Sequence, residues 1–146
     1  MRCNIWVTGM VLALAAAGAA AQNCSCQSAA SRMNQTALSQ ALTGRTACAV
    51  FSTDRWQEYH NAGGSLLELG NTVGGETVGS WSIVGTGANA MVRYTYTGGA
   101  SYDYQVCEEG SGAVESRTYH FCGARNITNA RLVAGTGACG AGFTRP

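Results

Sequence analysis

A chain of 146 residues has room for one domain with a hydrophobic core and too little for two. Its apolar content of 46%, with 20 glycines in no triplet period, excludes both a disordered and a collagen-like chain. It holds no lysine, and charged residues make up only 12%, so it lacks the basic footprint that binds DNA, RNA or an anionic membrane surface.

Residues 1–21 read as a secretory signal peptide. Arg2 supplies the positive start, Ile5 to Ala17 the apolar stretch and Ala19-Ala20-Ala21 the small residues of a cleavage site before Gln22. A membrane-spanning anchor needs about 20 apolar residues and stronger positive flanks, and Gln22-Asn23 separate Cys24 from the small-residue box that a lipid anchor requires. No span is therefore expected in the mature chain, and loss of Arg2 leaves its arginines and carboxylates balanced.

Residues 22–47 form an N-terminal segment. Within it Ala29, Met33, Ala37, Leu38, Ala41 and Leu42 recur near the helical period, which predicts a short helix over Ser28 to Leu42, ended by Gly44. Residues 48–146 form a disulfide-stabilised β domain. From Phe51 onward, short runs rich in Val, Tyr, Trp and Thr alternate with Gly-Gly, Gly-Asn and Gly-Thr-Gly turns, the pattern of antiparallel strands.

Four strands can be set side by side: Val78 to Val84, Ala90 to Thr97, Ser101 to Glu108 and Ser116 to Cys122. Turns at Gly85 to Ala88, Gly98 to Ala100 and Gly110 to Ala113 place Trp81 beside Val92, Tyr94 opposite Tyr104, and Tyr104 opposite Tyr119. All three turns agree on one continuous aromatic face. A further strand near Ala130 to Ala134 brings Cys139 back to the sheet. A meander of six to eight strands must cover such a face, so the expected fold is mainly β: an antiparallel meander closing into a small lipocalin-like barrel or curled sheet, with one short N-terminal helix. A two-sheet sandwich is the alternative.

Six cysteines remain after the signal: Cys24, Cys26, Cys48, Cys107, Cys122 and Cys139. An even number in an exported chain predicts disulfides. A Cys24–Cys26 bridge would close too small a ring, so each pairs elsewhere. In the register above Cys107 faces Ser116 and Cys122 faces Ser101, so these two also look outside their hairpin. A metal site is disfavoured, because Cys-x-Cys stands without a second close pair and with only two histidines. Gly85-Thr86-Gly87 and Gly135-Thr136-Gly137 lack the helix and lysine of a phosphate loop and read as turns. No cofactor is expected.

The segments Leu42-Thr43-Gly44-Arg45-Thr46-Ala47-Cys48, Arg55-Trp56-Gln57-Glu58-Tyr59-His60, Val78-Gly79-Ser80-Trp81-Ser82 and Gly85-Thr86-Gly87, with the Tyr-x-Tyr strands and His120-Phe121-Cys122, resemble a family of small exported bacterial β-rich proteins. The resemblance covers most of Leu42 to Cys139. It implies a fold and an exported location and carries no activity. Arg45 stands where that pattern has Asn, and Cys107 where it has no Cys.

Three groups of side chains are candidates for function. In a strand from Arg55 to His60, alternation puts Trp56, Glu58 and His60 on one face, a carboxylate beside an imidazole, which is the material of general acid/base chemistry or of an ordinary ion pair next to a Trp. On the opposite sheet face Asp103 is expected to meet His120, a pair that could orient an imidazole, although no nucleophile is marked by a Gly-x-Ser-x-Gly elbow. The aromatic set, with Tyr94 and Tyr104 at its centre, is either filled core or the lining of a pocket for one small ligand. The leading reading is a secreted or periplasmic, non-enzymatic binding module for a small molecule or an exported protein, with Trp56, Glu58, His60, Tyr94 and Tyr104 as its binding residues. The alternatives are a small exported hydrolase using His60 with Glu58 or His120 with Asp103, and a structural envelope or matrix protein.

Overall fold

The computed structural model describes Cys26, residues 31–69, 75–137 and 139–140, and Phe143. The signal-peptide stretch and Cys24 lie outside the described residues. Eight antiparallel strands follow one another in chain order: β1 (Arg45–Phe51), β2 (Asp54–His60), β3 (Ser65–Glu68), β4 (Glu76–Val84), β5 (Met91–Tyr96), β6 (Ser101–Glu109), β7 (Thr118–Gly123) and β8 (Ile127–Ala134). Arg45 pairs with Ala134 and Ala47 with Leu132, which joins β8 to β1 and closes the barrel. The meander therefore closes as the alternating pattern requires, and a sandwich does not form. Closure also gives every strand a neighbour on both sides.

The strand pairings differ from the expected ones in a regular way. Trp81 faces Tyr94 rather than Val92, Tyr94 faces Tyr102 rather than Tyr104, and Tyr104 faces Gly123 rather than Tyr119. The cause is turn length. A short 3-10 turn at Gly87–Asn89 extends the β4–β5 loop, and another at Val114–Ser116 extends the β6–β7 loop. In the β5–β6 hairpin the consecutive positive φ values of Gly98 and Gly99 (103° and 93°) place the turn one residue earlier, with Tyr96 N–H donating to Ala100 O at 2.8 Å. Each displacement is an even number of residues, so every side chain keeps its face. One expected pair does not survive. Asp103 lies opposite Arg93 and His120 opposite Cys107, so Asp103 and His120 do not meet.

The helix is shorter than its apolar spacing suggests. Helix α1 spans Gln35–Leu42, and Asn34 caps it, its Oδ1 accepting from Ala37 N–H at 2.9 Å. That capping conformation ends the helix on its N-terminal side. Upstream, Met33 N–H donates to Val106 O at 2.9 Å, and Arg32 bridges Cys107. These residues take up the stretch of β6 that β5, ending its pairing at Tyr104, leaves open. From there α1 crosses the barrel end, touching β1 on one side and β4 and β5 on the other. Arg45 Nη1 donates to Gln40 O and Ala41 O, the open carbonyls at the helix C-terminus, while its Nε reaches Glu115 Oε1 at 2.7 Å.

Among the described residues two disulfides tie the flanking segments to the barrel: Cys26–Cys107 to β6 and Cys48–Cys139 to β1. Cys107 thus pairs outside its hairpin. Cys122 stands beside it on β7, with Sγ 3.8 Å from Cys107 Sγ. Past β8, Cys139 and Phe143 lie over the outer face of β1 and β2. There Gln57 Nε2 donates to Phe143 O at 2.6 Å, and Gln57 Oε1 accepts from Cys139 N–H at 2.9 Å. This covering buries Cys48 and Gln57 although both point away from the interior.

Candidate functional site

Alternation divides the interior into three levels. At the helix end Leu38, Leu42, Leu66, Val92, Val106 and Leu132 are fully buried and fill the space between the strands. Above them lies a level of rings. His60 meets Trp81 edge-on with centroids 5.1 Å apart and Tyr94 at 5.5 Å; Tyr94 meets Tyr104 at 5.9 Å, and Tyr104 meets Phe121 at 6.2 Å. Edge-to-face contacts of this kind suit the ring quadrupoles. The third level is not filled.

At that level is a cavity of about 260 Å³. Its walls are Trp56 and Glu58 on β2, Tyr94 and Tyr96 on β5, Tyr102 and Tyr104 on β6, and Phe121 on β7. Ala47 and Ala49 on β1 face Glu58 and Trp56 directly, and these small side chains leave the gap. Gly123 contributes in the same way: a Cβ there would come 2.9 Å from Tyr104 Cδ1, so its absence makes room for the Tyr104 ring beside β7. The mouth lies at the end away from α1, near Ala100 and Arg125 in the β5–β6 and β7–β8 loops. The Arg125 guanidinium stacks 5.7 Å from the Phe51 ring centroid.

Four of the five residues singled out from the sequence line this cavity: Trp56, Glu58, Tyr94 and Tyr104. The fifth, His60, lies beneath it. Its Nδ1 is 3.2 Å from Arg45 O and its Nε2 is 2.8 Å from Tyr94 Oη. A carbonyl only accepts, so Nδ1 carries the proton and Nε2 accepts from the Tyr94 hydroxyl. Complete burial pushes the imidazole pKa down to about 4, which keeps it neutral. Both ring nitrogens are thus engaged below the cavity, and His60 positions Tyr94.

Glu58 is 9% exposed, and its Oε1 accepts from the Tyr96 hydroxyl at 2.8 Å. Burial, and next the nearby Glu58 carboxylate, hold the phenols of Tyr94 and Tyr96 well above the usual tyrosine range. Both phenols therefore stay protonated, with the proton of Tyr94 directed at His60 and that of Tyr96 at Glu58. Burial also raises the Tyr104 phenol.

The other candidate pair is dispersed over the outer face. Asp103 accepts from Arg93 Nε at 2.7 Å and Nη2 at 2.6 Å, which holds its carboxyl below the ordinary range. His120 Nε2 lies 3.3 Å from Glu109 Oε1, and its Nδ1 accepts from Asn129 N–H at 3.3 Å. Among the described residues no three His, Cys, Asp or Glu side chains gather as a metal site, and no helix is long and apolar enough to cross a membrane.

Tyr96 and Tyr102 belong to the Tyr-x-Tyr strands and Phe121 to the His120-Phe121-Cys122 segment, all legible in the sequence. Arg125 was not, because it stands in a loop outside any periodic pattern, and Ala47 and Ala49 gave no signal because only their partners across the barrel give small side chains a meaning. No family model matches this chain, and no curated protein or solved structure does.

Proposed function

We propose that this chain is an exported binding module that holds one small molecule in the open half of its barrel. The carrying observation is the cavity of about 260 Å³ with an aromatic wall and one buried carboxylate. Binding sites for small molecules are typically concave, mostly apolar and furnished with a few converging polar groups, over roughly 300–1,000 Å³. This one lies just below that range, so its occupant is small. An eight-stranded barrel has an interior suited to one such ligand.

The outer surface gives less support to a protein partner: among the described residues Val50 is the only exposed large apolar side chain. The exported location is supported by two disulfides linking distant parts of the chain, since such bonds persist in oxidising compartments, and by the apolar N-terminal stretch.

Thermal unfolding of the oxidised protein against a panel of small polar, aromatic and charged compounds tests the proposal. A ligand at 100 times its Kd adds about 2.7 kcal/mol, which raises the Tm. Ala49→Phe, which fills the cavity from β1, should abolish the rise while leaving the folded state intact. A panel without any stabilising compound, or a rise unchanged in Ala49→Phe, would overturn the proposal.

A further inference from the structure

Two of the hydroxyls that line the cavity direct their protons away from it. Tyr94 Oη spends its proton on His60 Nε2, and Tyr96 Oη spends its proton on Glu58 Oε1. Both hydroxyl oxygens are therefore left with lone pairs, and the Glu58 carboxylate, which only accepts, lines the same cavity. The surrounding rings of Trp56, Tyr102, Tyr104 and Phe121 add the negative faces of their π systems. His60 enforces the arrangement, because its own proton is committed to Arg45 O and it cannot return one to Tyr94. A site made of acceptors, a carboxylate and ring faces attracts positive charge, and aromatic cages of this composition suit ammonium groups.

Resting on the binding reading above, we infer that the ligand is a small organic ammonium ion, a protonated or quaternary amine, seated with its cationic end against Glu58. The positive charge of Arg125 does not cancel this preference. It stands exposed at the mouth, where solvent and salt screen it, and would meet the outer end of the ligand.

Matched pairs of probes differing only in charge provide the test: choline against 3,3-dimethylbutan-1-ol, and propylammonium against propanol, titrated calorimetrically into the unaltered oxidised protein at neutral pH. The cationic member of at least one pair should bind tenfold or more tightly than its neutral partner, and Glu58→Gln should remove that difference. Because the paired comparison uses the unaltered protein, it remains decisive even if Glu58→Gln fails to fold. Equal binding of cation and neutral partner would overturn the ammonium inference and leave the binding module standing. Failure of these probes while a neutral or anionic compound binds and is lost in Ala49→Phe would do the same. If no compound of any charge binds, both readings fall.

Discussion

The two halves of this barrel are made by the same alternating strands and reach opposite solutions for their interior. At the helix end the inward positions are branched aliphatics such as Leu66, Val92 and Leu132, joined by Leu38 and Leu42 from α1, and nothing is left between them. At the mouth the inward positions pair very large with very small, Trp56 with Ala49 and Tyr104 with Gly123, and a cavity remains. The half without internal packing is braced from outside: the Cys48–Cys139 bond and the two Gln57 hydrogen bonds clamp the C-terminal segment over β1 and β2, the strands whose inner faces form the Ala47, Ala49, Trp56 and Glu58 wall. Inner filling and outer clamping are thus alternative ways to hold a strand pair in place.

Variants of each half can sharpen or break this contrast. The largest effect is expected for the clamp. The Cys48–Cys139 bond spans a sequence separation of 91 residues, and the chain-entropy model gives about 4–5 kcal/mol for a loop of that order. The double variant Cys48→Ala with Cys139→Ala should lose that much in urea unfolding, and a loss confined to a few tenths would show that the outer brace is dispensable. Next, Leu132→Ala in the filled half should cost about 3 kcal/mol, whereas Tyr102→Leu at the cavity should cost less than about 1 kcal/mol. Equal losses would erase the distinction between the halves.

His60 sits on the boundary and makes the comparison pH-dependent. Its pKa is about 4 in the fold and about 6.5 in an unfolded chain, so between those values the unfolded state binds the proton and the folded state does not. Stability should be level above pH 6.5 with respect to this group and fall by about 3 kcal/mol as pH drops to 4. Denaturation midpoints across that window should show this slope, and His60→Gln should flatten it. A smaller effect than for the disulfide is expected for Gln57→Ala, about 1–2 kcal/mol from two lost hydrogen bonds, read as a shift in urea midpoint.

What could be read from the sequence was mainly which face each side chain takes. All three turn positions near the aromatic strands were misplaced, yet Trp81, Tyr94, Tyr104 and Phe121 still point inward, because two longer turns and one shifted turn displaced the pairing by two or four positions and the pleat repeats every two. Absolute register was not legible, since the 3-10 turns at Gly87–Asn89 and Val114–Ser116 carry no periodic signal. The expected Asp103–His120 pair failed for that reason. The helix was placed but begun too early, because Ala29 and Met33 continue the helical spacing while Asn34 interrupts the backbone. Trp56 and Glu58 were found by alternation alone. The emptiness beside them was not, because a cavity is a shortfall of volume between strands distant in sequence, and no single strand records it.

The helix across one end has a consequence for exchange. With that end sealed by α1 and held by Arg45, the barrel is a cul-de-sac: a molecule that enters must turn back past the hairpin tip at 97–100 and Arg125 to leave. On the binding reading, arrival and departure would share that one opening, so a substitution at the hairpin tip should alter both rates together.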